Sequence, residues 1–211
     1  TGIDKLTGGK VLLNEKDISN VSIRERGIAG MSCIPEDRHK YGLVLDFSLE
    51  DNLILHNYYK KPFNEKGFIN RKKEREHADG LITSFDVRAG KGAETPARSM
   101  SGGNQQKAII AREINKDDDL LIAVHPTRGL DVAAIEYIHN QIINQRNNEK
   151  AVLLVSFELD EVMDLSDRIL VMYEGEIVGE LNPEETTPEE LGLYMAGAKR
   201  DTPAERNKDH A

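Results

Sequence analysis

Two short stretches of this 211-residue sequence combine residue types suited to handling a phosphate and a proton. In Ser101-Gly102-Gly103-Asn104-Gln105-Gln106-Lys107, a hydroxyl and two glycines stand directly before residues of helical spacing. Glycines at a helix start let the backbone come close to a ligand, and the free N–H groups there, aided by the helix dipole, suit a phosphate. Ser101 either caps the helix or donates to that phosphate; taken alone, a Ser-Gly-Gly run is most often an ordinary cap. The second stretch, Leu120-Leu121-Ile122-Ala123-Val124, reads as a buried strand that runs into His125-Pro126-Thr127-Arg128-Gly129-Leu130-Asp131. The His125 imidazole is a candidate general base, set against a position with no chemistry left. Asp131 has the side chain of an N-cap.

These residues need a scaffold, and the apolar spacing supplies one. Lys10 to Asn14 and Gly30 to Pro35 read as strands, with one helical turn at Ser22 to Arg26 between them. Leu49 to about Lys60 and Arg71 to about Ser84 mix charged and apolar residues at helical spacing and, joined by a loop containing Pro62, predict a helical insert. From Gln105 the order is helix, strand Leu120 to Val124, then a helix from Val132 to about Asn147 with Ile135, Ile138 and Ile142 on one face. The strand Ala151 to Val155, the helix Leu159 to Leu165 and the strand Arg168 to Met172 follow. Strand and helix alternating, with uniformly apolar strands, predict a mostly parallel sheet covered on both faces. Glu174-Gly175 turns the chain into a hairpin partner, Glu176 to Leu181, ahead of a helix from Pro188 to Ala196. The expected division is 1–48 for the N-terminal strands and following loop, 49–115 for the helical subdomain, 116–197 for the rest of the core, and 198–211 for a disordered polar tail.

Composition narrows the class. With 38% hydrophobic and 31% charged residues the chain is that of a soluble globular protein, and no apolar run approaches the roughly 20 residues of a membrane helix. A net charge of -9 argues against a surface built for nucleic acid. The basic cluster Lys72, Lys73 and Arg75 is interleaved with Glu74 and Glu76, as on a solvated helix face. A single cysteine, Cys33, excludes an internal disulfide framework and fits a reducing compartment. The N-terminus has neither a signal-peptide pattern nor an initiator Met, so the sequence is expected to be part of a longer chain.

Ser-Gly-Gly-x-Gln-Gln, a helix, an apolar strand and Pro-Thr-x-Gly-Leu-Asp together closely resemble the signature motif, Walker B strand and D-loop of ATP-binding cassette (ABC) ATPases, with the likeness running from about Lys10 to Ala196. The stretch Pro35-Glu36-Asp37-Arg38 resembles the Q-loop region of the second ATPase half in bacterial simple-sugar and nucleoside importers, and Leu153 to Glu161 is similar to the nucleoside branch. The resemblance implies an α/β P-loop NTPase fold with a helical subdomain. The family's Walker A motif, G-x-x-x-x-G-K-[ST], does not occur in the sequence: around Gly9-Lys10, Asp4 stands at the first glycine and Val11 at the hydroxyl, and the chain is expected to begin after that loop.

Against the family pattern, Val124 replaces the magnesium-binding Asp, His125 the catalytic Glu and Phe157 the switch histidine, so this domain is expected to be inactive alone. Phe157 is expected to pack at the strand end, and Glu36, in the Q-loop position, either binds a metal or water or faces the transporter partner. Ser101, Gly102, Gly103 and Gln105 are expected to close over ATP held by the other half, with Asp131 a plain N-cap, a dimer-seam residue, or both. ATP and Mg2+ then belong to the full assembly, with none expected on this chain alone. The implied partners are the other ATPase half, the permease and, indirectly, an extracytoplasmic binding protein, at the cytoplasmic face of the membrane. An ABC-type ATPase of nucleic-acid or translation-associated function is the alternative; it would call for a coiled-coil insertion or positive charge. Without the phosphate-loop strand the sheet is expected to show a gap or an exposed edge, and the chain is expected to pair that edge with another chain and self-associate, to close the gap by shifting strands, or to be marginally stable.

Overall fold

A computed structural model describes residues 1–201 of the chain. They fall into two compact units, Thr1–Leu153 and a second beginning at Leu154.

In the first unit, β1 (Leu12–Leu13) and β2 (Lys16–Asp17) form a hairpin whose turn residues, Asn14 and Glu15, both have positive φ, as a tight two-residue turn requires. The strand expected over residues 10–14 is therefore half of a hairpin. Helix α1 (Ile23–Ile28) starts from a capping box in which the Ser22 hydroxyl accepts the Glu25 N–H and the Glu25 carboxylate accepts the Ser22 N–H. Strand β3 (Met31–Ile34) leads into a π-helical turn, Arg38–Gly42, capped by Asp37. Helices α2 (Leu49–Leu53) and α3 (Arg71–Ser84) are capped by Ser48 and Asn70. Helix α2 stops seven residues short of the expected Lys60, because from Ile54 the backbone closes successive turns such as Asn57 N–H to the Ile54 carbonyl at 2.7 Å. The loop containing Pro62 folds into a small hairpin, β4 (Asn64–Glu65) with β5 (Phe68–Ile69).

Helix α4 (Gly102–Ile114), strand β6 (Leu120–Val124), helix α5 (Val132–Asn147) and strand β7 (Ala151–Val155) complete the sequence expected there, with α4 starting three residues before Gln105 because Ser101 caps it. The sheet order is β3-β6-β7, and β3 lies parallel to β6 with Met31 opposite Leu120 and Ile34 opposite Ala123. Helices α2, α3 and α4 close on a common core of Leu49 and Leu53 of α2, Ala78 and Leu81 of α3, Ala108 and Ala111 of α4, and Met100 just ahead of α4. Each large apolar side chain removed from water there contributes about 1.5–3 kcal/mol. On α5, Ile138 and Ile142 of the expected face are buried, and Ile135 is half-buried.

The second unit contains α6 (Leu159–Leu165), β8 (Ile169–Tyr173), β9 (Glu176–Leu181) and α7 (Pro188–Met195). Strands β8 and β9 pair antiparallel across Glu174-Gly175, both at positive φ, and form their own two-stranded sheet over a core of Ile169, Val171, Val178, Leu191 and Tyr194. The expected parallel sheet is present in β3-β6-β7, with the centre of β6 buried, but its cover is incomplete: Leu153 and Val155 of β7 are 50% and 41% exposed, and Leu170 and Met172 of β8 are exposed too. An apolar run marks a strand without saying how many neighbours it has.

The segment expected to be disordered from residue 198 begins with anchored residues. The Asp201 N–H donates to the Val178 carbonyl at 2.8 Å, and its carboxylate accepts the Tyr194 hydroxyl and the Glu180 N–H. The remainder of that expectation, 202–211, lies outside the described residues.

Candidate nucleotide-facing site

Ser101 is the N-cap of α4, its hydroxyl accepting the Asn104 N–H and, at 2.9 Å, the Asn104 side-chain amide. The residue stays exposed. Helix geometry leaves the N–H groups of Gly102 and Gly103 without intrahelical acceptors, so the start of α4 presents two donors and a hydroxyl on one side. Neighbours come closest at Gly102. A Cβ on Gly102 would stand 3.0 Å from the Arg38 guanidinium, and one on Gly103 would stand 3.4 Å from the Ala134 Cβ and 3.9 Å from Asp131 Oδ2.

Gln105 is buried, and its amide is engaged within the chain. Its Nε2 donates to the Ala97 carbonyl at 2.9 Å, which leaves Oε1 to accept from His39 Nε2 at 2.9 Å and places the ring proton on that nitrogen. Gln106 donates to the Pro126 carbonyl at 2.8 Å, tying α4 to the turn after β6. Of the expected set, then, Ser101, Gly102 and Gly103 stand at the helix start while Gln105 faces inward.

Asp131 caps α5, its carboxylate accepting the Ala134 N–H at 2.9 Å, and it lies exposed beside Gly103. The two segments, 101–105 and 125–131, thereby adjoin at Gly103 and Asp131.

At the end of β6, Val124 offers only hydrocarbon, and His125 sits half-buried in a turn at φ 46°. This pair does not fit a magnesium ion, which takes oxygen ligands. Among the described residues no group of three or more His, Cys, Asp or Glu side chains is placed to hold a metal. The start of α4 instead offers what a phosphate needs, two N–H donors and a hydroxyl.

Glu36 is paired with Arg128, Oε1 to Nη1 at 2.8 Å, so its carboxylate is directed at the D-loop turn of its own chain. Beside it, the N–H groups of Lys40 and His39 hold the Asp37 carboxyl below the usual carboxylate range. Phe157, expected to pack at the strand end, is 74% exposed instead; the turn after β7 carries it outward. Arg38, His39 and Arg128 were not singled out from the sequence as contacts of these motifs, because their partners lie 66 to 92 positions away. The only local signal was the run of charged residues Glu36 to Lys40.

No family model matches the sequence. The fold is similar to that of a nucleotide-free ATP-binding cassette from an ABC transporter, with TM-score 0.72 at 20% identity over 92% of this chain and 79% of that one. It is also similar to a dimeric cassette in a post-hydrolysis state bound to ADP and Pi, with TM-score 0.70 at 21% identity over 85% and 75% of the two chains. The chain has the fold of the ABC ATPases, an α/β P-loop NTPase architecture.

Within that class its sequence matches ATP-binding proteins of nucleoside and simple-sugar import. It is 53% identical over 198 residues to the guanosine import ATP-binding protein NupO of Bacillus subtilis (strain 168), covering 94% of this chain and 39% of that protein. It is 50% identical over 197 residues to the nucleoside import ATP-binding protein NupA of Lactococcus lactis subsp. cremoris (strain MG1363), covering 93% and 39%. The ribose import ATP-binding protein RbsA of Oceanobacillus iheyensis is 38% identical over 196 residues, covering 93% and 39%. The chain thus spans well under half the length of the relatives it matches.

Proposed function

We propose that this chain is the second, catalytically degenerate ATPase half of an importer for nucleosides or simple sugars, and that it supplies the signature helix to ATP held by the other half. One observation carries the reading. The phosphate-facing start of α4 is intact, with Ser101 exposed and no Cβ on Gly102 or Gly103, whereas the end of β6 holds no carboxylate. Such a domain contributes to a site across a dimer without completing one of its own. ATP and Mg2+ are then bound mainly by the partner half. Asp131, beside Gly103, lies on the same seam.

The remaining partners follow from the same reading. Tyr41, Val44 and Phe47, next to the π-helical turn, are 50%, 37% and 48% exposed and give a permease an apolar grip at the cytoplasmic face of the membrane. The permease and an extracytoplasmic binding protein then set which molecule is carried. The test is Ser101→Arg in the full-length protein with its permease, which fills the phosphate position with a long side chain. ATP hydrolysis and transport both fall by at least about tenfold, more than 1.4 kcal/mol in the barrier; unchanged hydrolysis rejects the proposal.

A further inference from the structure

The loop after β3 adjoins both dimer-facing segments, and one side chain bonds to the second while lying close to the first. Arg38 Nη1 donates to the Arg128 carbonyl at 3.2 Å, and the same guanidinium lies against Gly102 so closely that a Cβ there would stand 3.0 Å from Nη2. Its buried Nε has no hydrogen-bond partner among the described residues, so the guanidinium is held out of bulk solvent beside these two segments. The neighbours of Arg38 extend the same link. Glu36 holds the Arg128 side chain at 2.8 Å, and His39 holds the amide of buried Gln105, one helical turn into α4, at 2.9 Å.

From this geometry we propose that Arg38 is a positioning residue that locks the start of α4 at Gly102 to the D-loop turn at Arg128, with Glu36 and His39 as its outriggers. This rests on the reading that Ser101 to Gly103 serve a site across a dimer. The consequence is that the two segments meet the partner's nucleotide as one rigid element, and that movement of the loop 36–39, flanked by the exposed Tyr41 and Phe47, moves both together. Glu36 thereby acts through Arg128 and not as a metal ligand. A lysine in place of Arg38 keeps the charge but loses the planar fork that spans the two contacts.

The experiment uses the full-length ATP-binding protein with its permease and Mg-ATP as the probe, recording kcat, KM for ATP and the melting midpoint. Arg38→Ala lowers kcat about tenfold with KM for ATP changed less than about twofold, the signature of an interaction needed only once the site has closed. Glu36→Arg and Arg128→Glu each lower kcat, and the double exchange, which restores the pair in reverse, recovers most of it. A lowered melting midpoint with no recovery in the exchanged pair overturns the inference, as does an Arg38→Ala protein with unaltered kcat. Ser101→Arg in the same preparation separates the two proposals. If it hydrolyses ATP normally the underlying reading fails; if it is inactive while Arg38→Ala is normal, only the positioning role fails.

Discussion

Glu113 and Arg112, successive residues of α4, face one another in the interior, Oε1 to Nε at 2.7 Å, with both side chains essentially inaccessible to solvent. The carboxylate also meets His56 Nδ1 at 3.1 Å and Lys116 Nζ at 3.4 Å, and Arg112 donates to the Gly42 carbonyl at 2.8 Å. Burial alone would raise the Glu113 carboxyl, but Arg112, His56 and Lys116 outweigh it and hold the group well below the usual carboxylate range. The pair lies in the second half of the helix that Ser101 caps.

A carboxyl held lower in the fold than in the unfolded chain stabilises at pH values above its unfolded pKa, about 4.3, and that contribution is lost as pH falls below it. Glu113→Gln removes the contribution and leaves Arg112 short of its partner, for a loss of about 3–5 kcal/mol near neutral pH. The expected result in urea unfolding is a gap between parent and variant that is widest at neutral pH and narrows steadily below about pH 4. A gap independent of pH would mean that the carboxylate charge is not what stabilises α4.

At Asp131 the cap and the proposed dimer-seam role are separable by one atom's charge. Asparagine caps as well as aspartate, so Asp131→Asn is expected to keep the unfolding free energy within about 0.5 kcal/mol, while Asp131→Ala, which loses the acceptor for the Ala134 N–H, costs about 1 kcal/mol. Equal losses in the two variants, measured by urea unfolding, would remove capping as the explanation.

The order of motifs from Ser101 to Asp131 was legible in the sequence because each lies on a local feature: a cap, a helix period, an apolar strand, a turn ending in a cap. The inward face of Gln105 was not, since it depends on Ala97 and His39 meeting it from elsewhere in the chain. Nor was the engagement of Glu36 by Arg128, across 92 positions. Hairpins β1–β2 and β4–β5 escaped notice because strands of two residues have no period to detect. The exposed sides of β7 and β8 escaped it because Leu153, Val155, Leu170 and Met172 look, as residue types, like the interior.

Cys33 lines a cavity of about 350 Å³ between α1 and the segment 55–60, together with Arg26, His56, Tyr59 and Glu113. Burial first, and then the Glu113 charge, push its thiol up to about 11. Only the thiolate attacks a disulfide reagent, and a free cysteine titrates near about 8.5. At pH 8 the native thiol is therefore expected to react about a hundredfold more slowly than in the urea-unfolded chain, with a rate still climbing above pH 9. A native rate that levels off near pH 9 would place an unperturbed thiol at this position.

In the second unit, Gly179 of β9 lies under the Tyr194 ring so closely that a Cβ would stand 2.6 Å from the ring carbon Cδ1. The ring has no slack: it belongs to the buried cluster with Val178 and Leu191, and its hydroxyl donates to Asp201 Oδ1 at 2.5 Å. Burial, followed by that carboxylate, raises the Tyr194 hydroxyl above its ordinary range, so it remains a donor at physiological pH. Gly179→Val forces the aromatic ring off the sheet and is expected to cost about 1–3 kcal/mol by overpacking. Asp201→Ala removes the acceptor for both the Tyr194 hydroxyl and the Glu180 N–H and is expected to cost about 1–3 kcal/mol. The two changes act on one ring, so in urea unfolding their double variant is expected to lose less than the sum of the single losses. Strict additivity would mean that the Asp201 contact does not hold Tyr194 over Gly179.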